Sequence, residues 1–98
     1  MKKIYKRALQ LTSRQDYLFP SGTEILSAQV QYDVICVWYL FDTEEKEEEE
    51  RITFLIYGTG HPMDSAEEAA CPHYLATVQL GAGVWHIFTD GRVRAKGN

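Results

Sequence analysis

Apolar and polar side chains alternate along much of this chain, a pattern typical of β-strands with one buried face. Residues 23–32 show it clearly, with one predicted face formed by Leu26, Ala28, Val30 and Tyr32. Similar alternation, or short apolar runs, predicts further strands around residues 5–11, 17–19, 34–41, 52–57, 73–80 and 84–89. The chain is therefore expected to form about seven short strands joined by turns.

Residues 34–41 differ from the rest because both sets of alternating positions are apolar. A strand of this kind is covered on both sides, so it is predicted to lie at the centre of the fold. An acidic run over residues 42–50 follows, and residues 52–57 are rich in β-branched and aromatic side chains. The simplest prediction is an acidic hairpin loop that joins these two strands.

Turns and a single helical stretch complete the pattern. Pro20, Ser21 and Gly22 predict a tight turn, and residues 64–70 have helical character with Asp64 or Ser65 as the cap. The predicted fold class is mostly β: a small antiparallel β-sandwich or partly open barrel with at most one short helix. Residues 1–98 are expected to form one domain.

Composition supports a folded protein. The 98 residues are 45% hydrophobic and 24% charged, close to the globular average, which argues against disorder. No apolar run has the length of a membrane span, and the basic start does not lead into a signal core, so a cytosolic protein is expected. Cys36 lies in an apolar strand and Cys71 in a predicted loop, and both are expected to be free thiols.

The net charge of −4 hides a strong segregation of charge along the chain. Residues 42–50 hold seven acidic residues and one lysine, whereas basic residues concentrate at the two ends. Residues 91–98 are predicted to be a basic, flexible tail. If this tail lay beside the first strand, it would form a cationic patch made of Lys3, Arg7, Arg92 and Arg94, suited to a phosphate or to the acidic loop of another subunit.

Two interpretations of the acidic run remain open. The first is a solvated loop that keeps the protein soluble and its edge strands unpaired. The second is a functional element that mimics nucleic-acid phosphates or binds a basic protein.

Four stretches of the chain resemble a family of small uncharacterised proteins, a domain of unknown function, encoded by bacteriophages and prophages. They are residues 4–6, residues 22–31, the Ile-Tyr-Gly-Thr-Gly-His-Pro string at 56–62 and residues 84–88. The resemblance implies a phage accessory protein acting in the host bacterial cytoplasm, and it carries no activity.

The glycine-rich string that ends the strand at 52–57 is the most suggestive local feature. Its glycines would let backbone N–H groups turn toward an anion, with Thr59 and His61 as further donors. It lacks the Lys-Ser/Thr pair of a P-loop, and a strand-ending turn is the alternative interpretation. A purine stacked on Trp85 or Tyr57 would complete a ligand site. The candidate ligand-binding residues are Tyr57, Gly58, Thr59, Gly60, His61, Trp85, Arg92 and Arg94.

Other chemistry is less well supported by the sequence. His61, Cys71 and His73 do not have the spacing of a metal site, so no metal or cofactor is predicted. Cys71 and His73 are neighbours in an extended segment and would point apart, so no catalytic residues are predicted, although a hydrolase-type activity is the enzymatic alternative.

Two function hypotheses follow. The first is a homo-oligomeric phage accessory protein that binds and sequesters a small anionic, nucleotide-like signalling molecule of the host and so counters host defence. The alternative is a protein-interaction module, an inhibitor or assembly factor, that uses the acidic loop or a sheet edge. Neither hypothesis includes membrane association or direct binding of nucleic acid.

Overall fold

A computed structural model of the protein describes residues 1–44 and 48–94. These described residues form eight strands and one helix in the order β1 (Lys2–Ala8), β2 (Arg14–Pro20), β3 (Glu24–Gln31), β4 (Val34–Asp42), β5 (Glu49–Gly58), α1 (Ser65–Ala70), β6 (His73–Leu80), β7 (Gly83–Thr89) and β8 (Arg92–Val93). Sheet I has the order β1-β4-β3-β8, and sheet II has the order β2-β5-β7-β6. All pairings are antiparallel except the short parallel pairing of β3 with β8.

The two sheets pack face to face as a small β-sandwich, so the predicted fold class is confirmed. Ile25 and Val37 of sheet I meet Phe54 and Ile87 of sheet II in the main hydrophobic cluster, and all four are fully buried. Alternate residues of each strand point into this core, as the alternating sequence requires.

The most apolar strand, β4, is the one whose environment differs most from the prediction. It pairs with β1 and β3 in sheet I, whereas β5 belongs to sheet II, so the acidic run joins two sheets and is not a hairpin loop. Residues 45–47 of that run lie outside the described residues. One face of β4 enters the core, but Trp38 and Leu40 on the other face belong to neither hydrophobic cluster and are only half-buried.

In β3 the predicted face is only partly right because of a bulge: Ala28 and Val30 pack in the core, whereas Leu26 does not. The register with β4 shifts between Ile25 and Ser27, so one extra residue, Leu26, is inserted. Ile25 and Ala28 consequently point into the core, although they have opposite parity in the sequence.

Helix α1 covers part of the outer face of sheet II. Asp64 caps it by accepting hydrogen bonds from the backbone N–H groups of Ala66 and Glu67, at 2.8 and 3.2 Å. Beneath it lies a second hydrophobic cluster of Leu55, Tyr57 and Cys71, with Met63 and Phe88 at its edge. The helical prediction and the Asp64 cap are confirmed.

The predicted flexible tail is partly an ordered strand. Arg92 and Val93 form β8 and pair with Glu24 and Ile25 of β3. The N–H of Arg94 continues the pairing by donating to the carbonyl of Ile25 at 2.9 Å. Residues 95–98, the rest of the predicted tail, lie outside the described residues. Within residues 1–44 and 48–94, no helix has the length and apolar character that crossing a membrane requires.

Candidate functional site

The glycine-rich string forms a hydrogen-bonded turn at the end of β5. The N–H of His61 donates to the carbonyl of Gly58 at 3.0 Å, which closes a four-residue turn. Gly60 occupies the third position with φ of +89°, as in a type II turn, where a residue with a Cβ atom would be strained. The local sequence therefore encodes a sharp end to the strand, which places His61 back over it.

Gly58 and Gly83 are required by close packing of aromatic rings. A Cβ atom on Gly58 would lie 2.8 Å from Cε1 of His61 and 3.2 Å from Cζ3 of Trp85. A Cβ atom on Gly83 would lie 2.8 Å from three atoms of the Trp85 indole. Trp85 also packs on the main core and donates from Nε1 to the carbonyl of Leu80 at 3.4 Å. The indole is therefore held between two glycine backbones.

Most backbone donors of this turn are directed at the protein itself. The N–H of Gly58 donates to Nδ1 of His61 at 3.3 Å, and the N–H of Thr59 donates to the carbonyl of Val84 at 3.1 Å. With the N–H of His61 also engaged, three donors predicted to face an anion have internal acceptors. Because Nδ1 of His61 accepts a hydrogen bond, the proton of its neutral ring lies on Nε2, which remains available as a donor.

Two open grooves meet at the His61–Trp85 pair, whose ring centroids are 6.3 Å apart. The first, which we call the Leu11 groove, measures about 250 Å³ and is lined by Leu11, Thr12, Ser13, Ile56, His61 and Trp85. The second, the Ala82 groove, measures about 330 Å³ and is lined by Gly58, Thr59, His61, Ala82, Gly83, Val84 and Trp85. Gly58, Thr59, His61 and Trp85 of the predicted site are thus brought together; Gly60 provides the turn.

Trp85 and His86 point to opposite faces of sheet II. His86 lies on the outer face, where its Nε2 contacts Oγ1 of Thr59 at 2.7 Å and its Nδ1 contacts Oγ1 of Thr77 at 3.0 Å. Oγ1 of Thr77 in turn lies 2.6 Å from the hydroxyl of Tyr74. The Thr59 hydroxyl is therefore engaged in a polar network, and sequence parity alone did not reveal this partner.

Tyr57 is not exposed to either groove. It is buried under α1, and its hydroxyl donates to Oε1 of Glu67 at 2.7 Å. Burial, with the Glu67 hydrogen bond, raises the pKa of Tyr57 to about 12. Its position in the second hydrophobic cluster gives it a packing role.

Arg92 and Arg94 lie away from the turn. Trp85 of β7 pairs with Gly58, at the turn, whereas Thr89 at the end of β7 pairs with Phe54, four residues before Gly58 along β5. The chain has therefore moved away from the turn when it enters β8 in sheet I. There Arg92 donates to the carbonyl of Gly22 at 3.5 Å, and Arg94 donates to Glu24 at 3.0 Å. These two arginines do not join the grooves.

The predicted cationic patch is also assembled differently. Strands β1 and β8 lie at opposite edges of sheet I, so Lys3 and Arg7 are not beside Arg92 and Arg94. Arg7 instead lies 4.6 Å above the ring of Tyr17, on the side of β1 that faces sheet II. The alternate residues of β1, Lys2 and Lys6, share the outward face of sheet I with the arginines, because sequence alternation separates them from Lys3 and Arg7.

A third groove, which the sequence did not predict, measures about 480 Å³ and lies between β3 and β6. It is lined by residues 27–30 of β3 and residues 74–79 of β6, two stretches that begin beside the bulges in these strands. Predicting this groove from the sequence would require the positions of the two bulges, and no glycine or proline marks either bulge.

Both cysteines are buried free thiols. Burial raises the pKa of the Cys71 thiol, with the charge of Asp90 acting in the same direction. Cys71 therefore lacks the thiolate character of a nucleophile. In the part of the chain that the structure describes, no three residues of the metal-ligating types are grouped closely enough to hold an ion.

The fold and this site define a small β-sandwich protein in which two open grooves meet at the His61–Trp85 pair. The pattern of a family described as a domain of unknown function (DUF7352) matches residues 1–97. The chain belongs to this family. Neither the curated proteins nor the solved structures provide a match.

Proposed function

We propose that this protein is a non-catalytic binding protein that takes up a small, nucleotide-like molecule at the His61–Trp85 pair. The observation that carries the proposal is the meeting of two grooves at one half-buried indole. An aromatic side chain that is fixed by packing and open on one side is a common platform for a planar ring.

The polar groups around the indole support recognition of a heteroaromatic ring. Nε2 of His61 is available as a donor, and two residues with hydroxyl groups, Thr12 and Ser13, line the Leu11 groove; the Thr12 hydroxyl also donates to the carbonyl of Arg14 at 3.4 Å. These groups match the mixed donors and acceptors at the edge of a nucleobase. Since the backbone donors of the turn are engaged internally, the anionic part of the ligand is expected to point toward solvent.

The biological setting is proposed from the resemblance to phage and prophage proteins. In that setting, binding would sequester a nucleotide-derived signalling molecule in the cytoplasm of the infected bacterium and so weaken host defence. Sequestration requires tight binding and no chemistry, which is consistent with the raised pKa of Cys71.

Tryptophan fluorescence gives a direct test. In a Trp38→Phe background Trp85 is the only indole, so its quenching reports occupancy of the grooves. We expect at least one member of a panel of nucleosides, nucleotides and cyclic dinucleotides to quench it in a saturable way and to raise the melting temperature. A flat response across the panel would refute the proposal.

Matched histidine variants assign the site. His61→Ala should weaken binding at least about 10-fold, and His61→Asn keeps a side-chain acceptor near the Gly58 N–H if the alanine variant is unstable. His73→Ala, at another exposed histidine, and Arg92→Ala should leave affinity unchanged. Equal weakening by His61→Ala and His73→Ala would exclude the grooves as the site.

The protein-interaction module remains the second candidate function. It is favoured by the outward face of sheet I, where Trp38 and Leu40 lie outside both hydrophobic clusters.

A further inference from the structure

The β6 strand is an open edge of sheet II. Among the described residues it pairs with β7 on one side, and the third groove, between β3 and β6, lies along it. Consecutive residues line this groove, 27–30 of β3 and 74–79 of β6. Because successive side chains of a strand point to opposite faces, such a lining shows that the backbone edges of the two strands border the groove. The N–H and C=O groups of an open edge can hydrogen-bond to a further strand.

Charge distinguishes β6 from the other strands at the sheet edges. Those strands carry charged side chains: Lys2, Lys3, Lys6 and Arg7 in β1, Arg14 and Asp16 in β2, and Arg92 in β8. Strand β2 also ends in a proline, Pro20. Such charges and prolines keep edge strands from pairing with other chains. The sequence of β6, His-Tyr-Leu-Ala-Thr-Val-Gln-Leu, contains no proline and no Lys, Arg, Asp or Glu.

The bulge in β6 leaves most of the strand regular. The register with β7 shifts between Tyr74 and Ala76, and residues 76–80 then pair one to one with residues 83–87. Side chains alternate in this regular part: Val78 is buried in the core, whereas Thr77 and Gln79 are exposed. Residues 76–80 therefore present a regular, uncharged edge at which a strand can be added.

The chemistry of this edge favours a second copy of the same strand. In an antiparallel pair, like charges directly opposite each other are destabilising. Two copies of β6 bring no such charges together, whereas two copies of β1 would oppose several cations. A contact about a two-fold axis is self-complementary and closes after two subunits. The opposite edge of each sheet II is β2, whose charges and Pro20 oppose further addition.

We propose that the protein forms a homodimer through antiparallel pairing of β6 with β6 of a second copy. The pairing joins two four-stranded sheets into one continuous sheet of eight strands. With the two-fold axis beside Val78, Thr77 of each copy lies opposite Gln79 of the other, so outward side chains meet outward side chains. The proposal goes beyond the ligand-binding function, because the third groove shares no lining residue with the two grooves at the His61–Trp85 pair.

Concentration and salt give the first test. Sedimentation velocity should show a dimer that dissociates on dilution. The dimer should be as stable in about 1 M NaCl, where the Debye length is about 3 Å, as in dilute salt, because its contacts are backbone hydrogen bonds and uncharged side chains. A protein that is monomeric at every concentration, or a dimer that dissociates in high salt, would overturn the proposal.

Charges introduced at Gln79 give a sharper test. In the proposed register the two Gln79 side chains are diagonal neighbours on the outward face, about 7–8 Å apart, within reach of long side chains. Gln79→Lys and Gln79→Glu should each dimerise at least about 10-fold more weakly than wild type, because like charges then adjoin. An equimolar mixture of the two variants should form a heterodimer. A mixture that stays monomeric would contradict the proposed pairing.

A matched control and hydrogen exchange locate the interface. Leu18→Lys adds the same charge at an exposed residue of β2, the opposite edge of sheet II, and should leave the dimer intact. Unchanged urea midpoints at low protein concentration would show that the variants are folded. Backbone amides within residues 76–80 should exchange more slowly at high protein concentration, whereas those of β1 should not change. Equal weakening by Leu18→Lys and Gln79→Lys, or protection of β1 in place of β6, would exclude β6 as the interface.

Discussion

Replacing Gly83 with alanine should destabilise the protein through a single contact. The new Cβ atom would lie 2.8 Å from Cε2, Cζ2 and Nε1 of Trp85. Carbon atoms in ordinary contact are about 3.5–4.0 Å apart, so the indole has to shift by about 0.7 Å or more. The shift is opposed by the core residues on which Trp85 packs. Gly83→Ala therefore overpacks the space that the Trp85 indole occupies.

Two opposing effects determine how far Gly83→Ala lowers the free energy of unfolding. Overpacking of this kind costs about 1–3 kcal/mol, whereas the smaller conformational freedom of alanine in the unfolded chain returns about 0.4–1 kcal/mol. We expect the free energy of unfolding to fall by about 1–2 kcal/mol, and each kcal/mol lowers the melting temperature of a domain of this size by about 4–8 °C. The loss should appear in the urea midpoint without a change in m-value.

A double-mutant cycle identifies the contact. Trp85→Phe removes the larger ring, so it should cost about 1 kcal/mol less in the Gly83→Ala background than in wild type. Gly81→Ala is the control: its Cβ would meet nothing within 4 Å, but its φ of +61° strains the backbone, so its cost should add to that of Trp85→Phe. If Gly83→Ala is as stable as the wild type, or if its cost simply adds to that of Trp85→Phe, the contact between the new Cβ atom and the indole is not the cause.

Two further predictions concern buried polar groups. The pKa of Tyr57 is raised to about 12 from 10.0, so the neutral phenol is favoured by folding: its contribution is fully present below pH 10 and is lost as pH rises toward 12. Tyr57→Phe should remove this part of the pH dependence of the urea midpoint, and an unchanged difference between the two proteins across that range would contradict the assignment. Asp90→Ala should lower the free energy of unfolding by about 1–3 kcal/mol because the N–H of buried Thr53 loses its 2.8 Å acceptor. Asp90→Asn keeps an acceptor oxygen and should remain close to wild type in the same urea titration, whereas equal losses for both variants would exclude the hydrogen bond as the cause.

Much of the fold could be predicted from the chain because local signals agreed with one another. The alternation of apolar residues found the principal strands, and Asp64 marked the helix. The pairing of β4 with β1 could not be predicted, because an apolar strand carries no information about which sheet it joins. Likewise, the bulge at Leu26 reversed the face of part of β3 without any glycine or proline to indicate it.

The candidate site was predicted only as far as it is local. The turn at residues 58–61 and the neighbouring Trp85 come together because β5 pairs with β7. Arg92 and Arg94 were grouped with them through charge alone, and charge does not determine where a short terminal strand pairs. Alternation along β1 also decides which cations share a face: Lys2 and Lys6 lie on the outward face of sheet I with Arg92 and Arg94, whereas Lys3 and Arg7 lie on the opposite side.

The β8 strand has a consequence for how the protein folds. It joins β3 through residues up to 70 positions apart in sequence, such as Glu24 and Arg94, whereas the β3–β4 and β6–β7 hairpins form between close neighbours. Because loop closure over long separations is entropically expensive, the hairpins are expected to form first and β8 to dock late. Until it docks, the edge of β3 at Glu24 and Ile25 is open to pairing with another chain. Docking of this two-residue strand therefore also protects the folding protein against misassembly.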